Sequence, residues 1–241
     1  MKISEKAGTA AHYVEKYLFS LYFAIMAARG LYTIYKNGWW HSVIGWWGRD
    51  WTRVWVAGYS LSSEMLLVIF NIMVGVFLIR AGKPQRGPEN LKELIIPFAA
   101  TFFYVAYSGL PAIFPAFALN NPIPASARWQ VMILACVLVL CGLFLNIFSL
   151  YHLRKSFAVF VQVKEIVFSG PYAYIRHPMY TSHLLMAAGL VLSRFSPALF
   201  AVFLIHAGLL AYRARLEEAA LAAHDPKYAE HIKRTGFLIP M

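Results

Sequence analysis

Long apolar segments separated by short polar ones dominate the 241-residue chain. Four of these segments contain 19 to 24 residues, and an α-helix needs about 20 residues to cross the hydrocarbon core of a bilayer. Two further segments contain 14 and 16 residues, and the four-residue connection between them predicts a tight helical hairpin. The pattern therefore predicts six transmembrane helices, at residues 17–35, 56–79, 94–114, 129–150, 179–192 and 197–212.

The composition agrees with this pattern. Hydrophobic residues make up 60% of the chain and charged residues 14%, whereas soluble domains contain about half and about a quarter of them. The mean hydropathy is +0.56. No cleavable signal peptide is evident, so we expect the first apolar helix to act as an uncleaved anchor. These features predict an all-α integral membrane protein that forms a single membrane domain.

Lys and Arg are distributed unevenly between the predicted loops. The N-terminus, the second and fourth loops and the C-terminal tail together contain 16 of them, and the other three loops contain five. Because basic residues favour the cytosolic side of a membrane, both termini and the polar stretch 151–177 are predicted to be cytosolic. The net charge of +11 comes from basic residues that punctuate apolar segments. This spacing suits anionic lipid head groups, and nucleic acid is not an expected partner.

Three features of the N-terminal half leave alternatives open. The stretch 36–55 is rich in Trp, which indicates an interfacial anchor, a lid or a substrate entrance. Glu64 lies within the second apolar segment, where it is either functional or hydrated near the interface. Pro97 and Pro111 predict a third helix that is kinked or short at both ends. Pro115, Pro122 and Pro124 then predict a non-helical connection.

Residues 169–183 place polar and aromatic groups where an apolar chain normally avoids them. Gly170-Pro171 is a turn signal, and Pro178 suits the first turn of a helix. Arg176 and His177 should therefore lie at the mouth of the following helix and face the membrane boundary. A second unusual group, Glu217-Glu218, follows the last apolar segment.

The string Gly170-Pro171-Tyr172, then Arg176-His177-Pro178, then Tyr180 resembles the signature of the isoprenylcysteine carboxyl methyltransferase family and the related phospholipid N-methyltransferases. The pattern from Arg213 to Glu218 is similar to the C-terminal part of the same family. These proteins are integral membrane enzymes that use S-adenosylmethionine. The resemblance therefore divides the membrane domain into residues 1–150, with four spans, and a methyltransferase-like region, 151–241.

The resemblance implies a cytosolic S-adenosylmethionine site with no metal ion. Arg176 would bind the carboxylate of the cofactor, and tyrosines would stack on adenine or face the sulfonium. Glu217 and Glu218 would bind the ammonium group or the ribose hydroxyls. The implied cofactor residues are Gly170, Tyr172, Tyr174, Arg176, His177, Pro178, Tyr180, Glu217 and Glu218.

The implied reaction is methyl transfer to a lipophilic or membrane-embedded acceptor, with Tyr180 and Arg213 as the catalytic residues. A carboxylate acceptor needs no base, and Arg213 would hold it in place. An amine or thiol must lose a proton, and His183 or a glutamate would then be the base. The acceptor and the oligomeric state are not indicated by the sequence.

Two other classes of protein remain open. The first is an NADPH-dependent reductase of sterol or isoprenoid double bonds, in which Arg154, Lys155 and Lys164 would bind the 2′-phosphate. The second is a non-enzymatic membrane channel or assembly factor, which would have no cofactor pocket.

Overall fold

The computed structural model describes residues 5–113 and 123–241. Helices and short irregular segments account for these residues and no β-strand forms among them, which confirms the all-α prediction. A π-helical turn, Val14–Phe19, joins the first two helices. The helices are α1 Glu5–Tyr13, α2 Ser20–Asn37, α3 Trp39–Trp46, α4 Trp51–Arg80, α5 Lys92–Phe102, α6 Tyr104–Ile113, α7 Arg128–Leu153, α8 Pro178–Ser193, α9 Pro197–His224 and α10 Pro226–Arg234.

Four helical segments are long and apolar enough to cross a membrane, judged by length and composition. The other two predicted spans, 94–114 and 179–192, correspond to the shorter helices α5, α6 and α8. The protein is therefore a helical membrane protein, and six crossings stay a prediction. The four segments are Gly8–Trp46, Trp51–Arg80, Arg128–Ser156 and Pro197–His224.

The third predicted span is broken, but not at its prolines. It divides at Phe103, between α5 and α6, and Pro97 lies inside α5. Proline has no N–H, so the carbonyl of Glu93, four residues earlier, has no helical partner. That carbonyl accepts a hydrogen bond from Val161 N at 3.2 Å. Pro115 and Pro122, in the predicted non-helical connection, lie outside the described residues.

The Trp-rich stretch 36–55 lies between two predicted spans, and most of it is helical. Gly38, with a φ of +55°, ends α2, and α3 begins at the next residue. Asp50 then caps α4 by accepting hydrogen bonds from Thr52 N and Arg53 N. The side chain of Trp47 is 65% exposed. The interfacial and lid interpretations both stay open.

An irregular segment, residues 157–167, crosses the bundle and is called the strap here. Its backbone is anchored at three points by the N-terminal half of the chain. The Glu15 carboxylate accepts hydrogen bonds from Val159 N at 3.0 Å and from Phe160 N. The Glu93 carbonyl accepts from Val161, and Arg86 pairs with Val163 through backbone hydrogen bonds. The fold thereby fixes the strap against helices that lie far from it in the sequence.

The C-terminal region contains the predicted helical hairpin and one helix that was not expected. α9 continues without interruption to His224 and ends before Asp225-Pro226. The following tail contains a further helix, α10. After α10 the chain returns to the motif, where Arg176 N donates to Gly236 O at 2.9 Å. The tail therefore holds the motif loop, residues 169–177, in position.

Candidate functional site

A cavity of about 310 Å³ lies between the strap, α8 and α9 and continues towards α2, α4 and α7. Two groups of its lining residues are distinguished here by the elements that contribute them. The polar and aromatic side chains from the strap, the loop 169–177, α9 and α10 are called the polar end, and the apolar side chains from α2, α4, α7 and the middle of α8 are called the apolar end. The polar end is lined by Gln162, Tyr172, Arg176, His177, Glu217 and Tyr228, and the apolar end by Tyr22, Phe23, Leu67, Phe70, Leu143 and Met186.

The motif loop reaches the polar end through a tight turn that requires glycine. Gly170 has a φ of +61°, which is a left-handed conformation. A Cβ atom at this position would lie 2.3 Å from the His152 ring. The turn directs the buried side chain of Tyr172 into the cavity wall. Burial raises the pKa values of Tyr172 and Tyr228, so both rings remain neutral parts of the wall.

Arg176 and Glu218 form a partly buried ion pair that connects the motif to α9. The Nε atom of Arg176 lies 2.5 Å from Glu218 Oε1, and its Nη1 donates to the carbonyls of Ile232 and Thr235. His177 Nε2 lies 3.2 Å from the same Glu218 oxygen. The motif loop, α9 and the C-terminal tail are thus joined at one carboxylate and one guanidinium group.

Glu217 is the centre of a second cluster, inside the cavity. Its Oε1 atom accepts hydrogen bonds from Tyr180 Oη at 2.5 Å and from Arg213 Nε at 3.0 Å. The His177 ring stacks on Tyr180 with 5.2 Å between the centroids. The Arg213 guanidinium lies 5.1 Å from the centre of the Tyr180 ring on another side. The cluster therefore presents a carboxylate and an electron-rich aromatic ring side by side.

Arg213 is buried, and its hydrogen-bonding capacity is used by the protein. Nη1 donates to Thr101 Oγ1 at 2.7 Å and to the Pro97 carbonyl. Nη2 donates to the carbonyls of Val159 and Ala158. With the Nε contact to Glu217, all five N–H groups of this arginine have acceptors within the fold. Arg213 joins α9 to α5 and to the strap.

The predicted site residues occupy different positions relative to the cavity. Tyr172, Arg176, His177, Tyr180, Arg213 and Glu217 line it. Glu218 lies behind the motif, while Gly170 and Pro178 set the backbone at the turn and at the start of α8. Tyr174 is not brought to this group, because its side chain is 69% exposed and lies outside the cavity lining. Its expected stacking role stays a prediction.

Gln162 and Asn146 line the cavity and were not assigned from the sequence, whereas His183 was considered there as a base. The side-chain amide of Gln162, Oδ1 of Asn146 and Nδ1 of His183 are buried and have no hydrogen-bond partner among the described residues. Their polar atoms face a cavity, so a bound molecule is the natural partner. The sequence signal for Gln162 is its position between Val161 and Val163, a polar residue inside an apolar run.

The three cations considered for a 2′-phosphate do not converge. Lys164 lines the cavity and donates to the Phe157 carbonyl at 2.8 Å. Its burial lowers its pKa, and the nearby Glu15 carboxylate opposes that shift. Arg154 and Lys155 line a neighbouring groove on the other side of the strap.

The cavity residues fit the chemistry of S-adenosylmethionine. Glu217 is placed to accept hydrogen bonds from an ammonium group or a ribose, and the buried Tyr180 ring adds an electron-rich surface beside it. Gln162 has an unpaired donor and an unpaired acceptor at the same end. A polar molecule that extends along the strap would satisfy these groups.

The long apolar helices and this cavity define a helical membrane protein with a cavity that is lined by both polar and apolar side chains. Residues 130–225 match the family model described as phospholipid methyltransferase. The matched region includes α7, α8, α9 and both halves of the predicted pattern, so the resemblance inferred from the sequence is confirmed there. No curated protein matches the chain.

Proposed function

We propose that the protein transfers a methyl group from S-adenosylmethionine to a lipophilic acceptor at the membrane boundary. The observation that carries the proposal is the single cavity that joins a polar end, built from the family-matched motif, to an apolar end between α2, α4 and α7. A polar cofactor and an apolar acceptor meet in such a cavity without either leaving its preferred environment.

The cofactor, when bound, supplies a methyl group that is already activated on a sulfonium. The protein then mainly has to orient two molecules and exclude water. Glu217 is fixed by Tyr180 and Arg213, so its carboxylate is held in one orientation towards the cavity. His177 stacks on the Tyr180 ring and fixes that ring beside the same carboxylate. Glu217 and Tyr180 are therefore our proposed binding surface for the positively charged parts of the cofactor.

The acceptor in our proposal carries its own N–H or S–H proton. All five donors of Arg213 are engaged, so holding an acceptor carboxylate would require this arginine to break contacts with α5 and the strap. His183, one turn after Tyr180 on α8, has an unpartnered Nδ1 at the cavity, and Asn146 has an unpartnered Oδ1. Both atoms can accept a hydrogen bond from an amine or a thiol. His183 is then the proposed base.

Binding by the purified protein in detergent tests the proposal. Calorimetric titrations with S-adenosylmethionine, S-adenosylhomocysteine and NADPH should show binding of the first two only. Glu217→Ala should weaken that binding, and Glu230→Ala, an exposed glutamate on α10, should not. Binding of NADPH alone would support the reductase class. Binding of none would support a non-enzymatic protein.

A transfer assay tests the acceptor. Protein supplied with cofactor carrying a labelled methyl group is incubated with lipophilic amines, thiols and carboxylic acids. We expect label in an amine or a thiol, and His183→Ala should abolish its transfer while leaving cofactor affinity within about twofold. Transfer to a carboxylate that is lost in Arg213→Lys would overturn the acceptor assignment.

A further inference from the structure

Gln162 has a buried side-chain amide to which the described residues offer no partner. Both its Oε1 and its Nε2 atoms are buried and without a hydrogen bond among the residues that the structure describes. A buried amide that lacks both of its partners destabilises the unliganded protein. The side chain lines the cavity, so a ligand that enters the cavity can satisfy both atoms.

The strap places this amide at the polar end. Its neighbours Val161 and Val163 pack in one cluster with Ala220, which lies one turn beyond Glu217 on α9. Tyr172 and Tyr228 line the same cavity, and both interact electrostatically with Glu217. Gln162 therefore lies in a part of the cavity with apolar and aromatic walls. Glu217, the carboxylate proposed to bind the positively charged parts of the cofactor, lines the same cavity.

The strap backbone is held on both sides of Gln162. Val161 N donates to the Glu93 carbonyl, and Val163 and Arg86 pair through backbone hydrogen bonds. The backbone therefore needs no rearrangement for the amide to meet a ligand in the cavity, because rotation of the side chain is sufficient. Such a position suits an amide that recognises a particular group of a bound ligand.

The pattern of donor and acceptor identifies the ligand group. A glutamine amide offers one N–H donor and one carbonyl acceptor in a plane, and it forms two hydrogen bonds with the edge of adenine. The carboxylate of an amino acid offers acceptors only, and its ammonium group offers donors only. Among the parts of S-adenosylmethionine, the adenine edge matches the amide in both roles.

We propose that Gln162 recognises the adenine base of the cofactor through a two-point hydrogen bond and thereby selects an adenine nucleoside over one with a 6-oxo base. This inference rests on the proposed function. The contact uses the edge that carries the 6-amino group and N7, where the amide oxygen accepts from the amino group and the amide N–H donates to N7. In hypoxanthine a carbonyl replaces the amino group and N7 stays an acceptor, so neither orientation of the amide can form both hydrogen bonds.

The experiment measures base selectivity and not only affinity. Calorimetry compares S-adenosylhomocysteine with S-inosylhomocysteine, its 6-oxo analogue, on the wild-type protein and on Gln162→Leu. We expect the wild type to prefer the adenine compound by roughly 10-fold to 100-fold, the range for a two-point amide contact. Gln162→Leu should reduce this ratio to about threefold or less. Gln130→Leu, an exposed glutamine at the start of α7, is the control and should keep the wild-type ratio.

Gln162→Glu provides a second test that preserves the shape of the side chain. Its carboxylate can accept from the 6-amino group but cannot donate to N7, so the affinity for S-adenosylhomocysteine should fall about 10-fold or more. A wild-type ratio retained in Gln162→Leu, or wild-type affinity for S-adenosylhomocysteine in Gln162→Glu, would overturn the inference and leave the proposed function intact. If the wild-type protein binds neither compound, the proposed function itself is wrong and the inference falls with it.

Discussion

Replacing Arg213 with alanine tests whether this residue holds the site together or binds a ligand. The side chain is buried and connects three parts of the fold: Glu217 on its own helix, Thr101 on α5 and the Val159 carbonyl on the strap. Alanine leaves Glu217 with only Tyr180 as a partner. It also leaves several buried carbonyl groups without donors.

The expected loss of stability follows from these contacts. A hydrogen bond that involves a charged group contributes about 1.5–3 kcal/mol, but bonds that share one side chain do not add. Removing one partner of a buried ion pair costs about 3–5 kcal/mol, and we take this range for Arg213→Ala. For a chain of this size, it corresponds to a decrease in melting temperature of roughly 6–20 °C. Arg213→Lys retains a charge near Glu217 but not the fork geometry, so about half of the loss or more should remain.

Thermal unfolding in detergent, followed by circular dichroism, measures this effect. Arg215→Ala is the matched control, because Arg215 lies two residues away on the same helix and is exposed. Its melting temperature should stay within about 2 °C of the wild type. If Arg213→Ala has the same melting temperature as Arg215→Ala, the contacts of Arg213 do not stabilise the fold. Its guanidinium group would then be available to a ligand, as the sequence first suggested.

Three further predictions follow from single contacts. Gly170→Ala should lower the melting temperature by roughly 5 °C or more, because a Cβ atom meets His152 and φ is positive, whereas Gly208→Ala, with open space around its helical position, should not. Because burial lowers the pKa of Lys164, the unfolded chain binds more protons between that pKa and about 10.4. Stability should therefore rise with pH through this window, and Lys164→Met should flatten the rise in melting temperature as the pH approaches about 10. Arg176→Ala should weaken S-adenosylmethionine binding by about 2–3 kcal/mol, and calorimetry that shows unchanged affinity would contradict it.

The local chemistry of the motif was predictable from the sequence. Proline fixes a backbone angle and glycine permits a rare one, so the turn at Gly170 and the start of α8 at Pro178 follow from residue type alone. The continuation of α9 past Tyr212 also follows, because the segment 213–224 contains good helix formers and no proline before Pro226.

The partners of the motif were not predictable in the same way. Glu15 binds the strap across 144 residues of sequence, and nothing in its own neighbourhood indicates that contact. Arg176 was expected to face a ligand, yet its Nε and Nη1 atoms contact Glu218 and the C-terminal tail. Long-range hydrogen bonds depend on how helices pack, and a single sequence carries no record of packing. The same limit explains why Gln162 was missed.

The last prediction concerns the number of membrane crossings. Gln85 N, in the loop before α5, donates to Val163 O in the strap, and Val163 N donates to Arg86 O. The loop and the strap therefore lie on one face of the molecule, although the apolar helix α7 lies between them in the sequence. If α7 crosses the membrane, the chain from α5 to Ile123 must cross it once in the other direction. If α9 crosses as well, the contact between Arg176 and Glu218 requires α8 to cross in the opposite direction.

Six crossings with cytosolic termini are therefore our expectation, and single cysteines at exposed positions test them. In a variant without Cys136 and Cys141, cysteines that replace Lys83 and Tyr174 should react with a membrane-impermeant reagent only from the cytosolic side. A cysteine that replaces Arg194, in the turn between α8 and α9, should react only from the opposite side. In a four-crossing arrangement α8 does not cross, so the cysteines at 174 and 194 would be labelled from the same side. That result would show that the short helix α8 lies within one face of the membrane, and the lateral path for an acceptor beside it would have to be placed elsewhere.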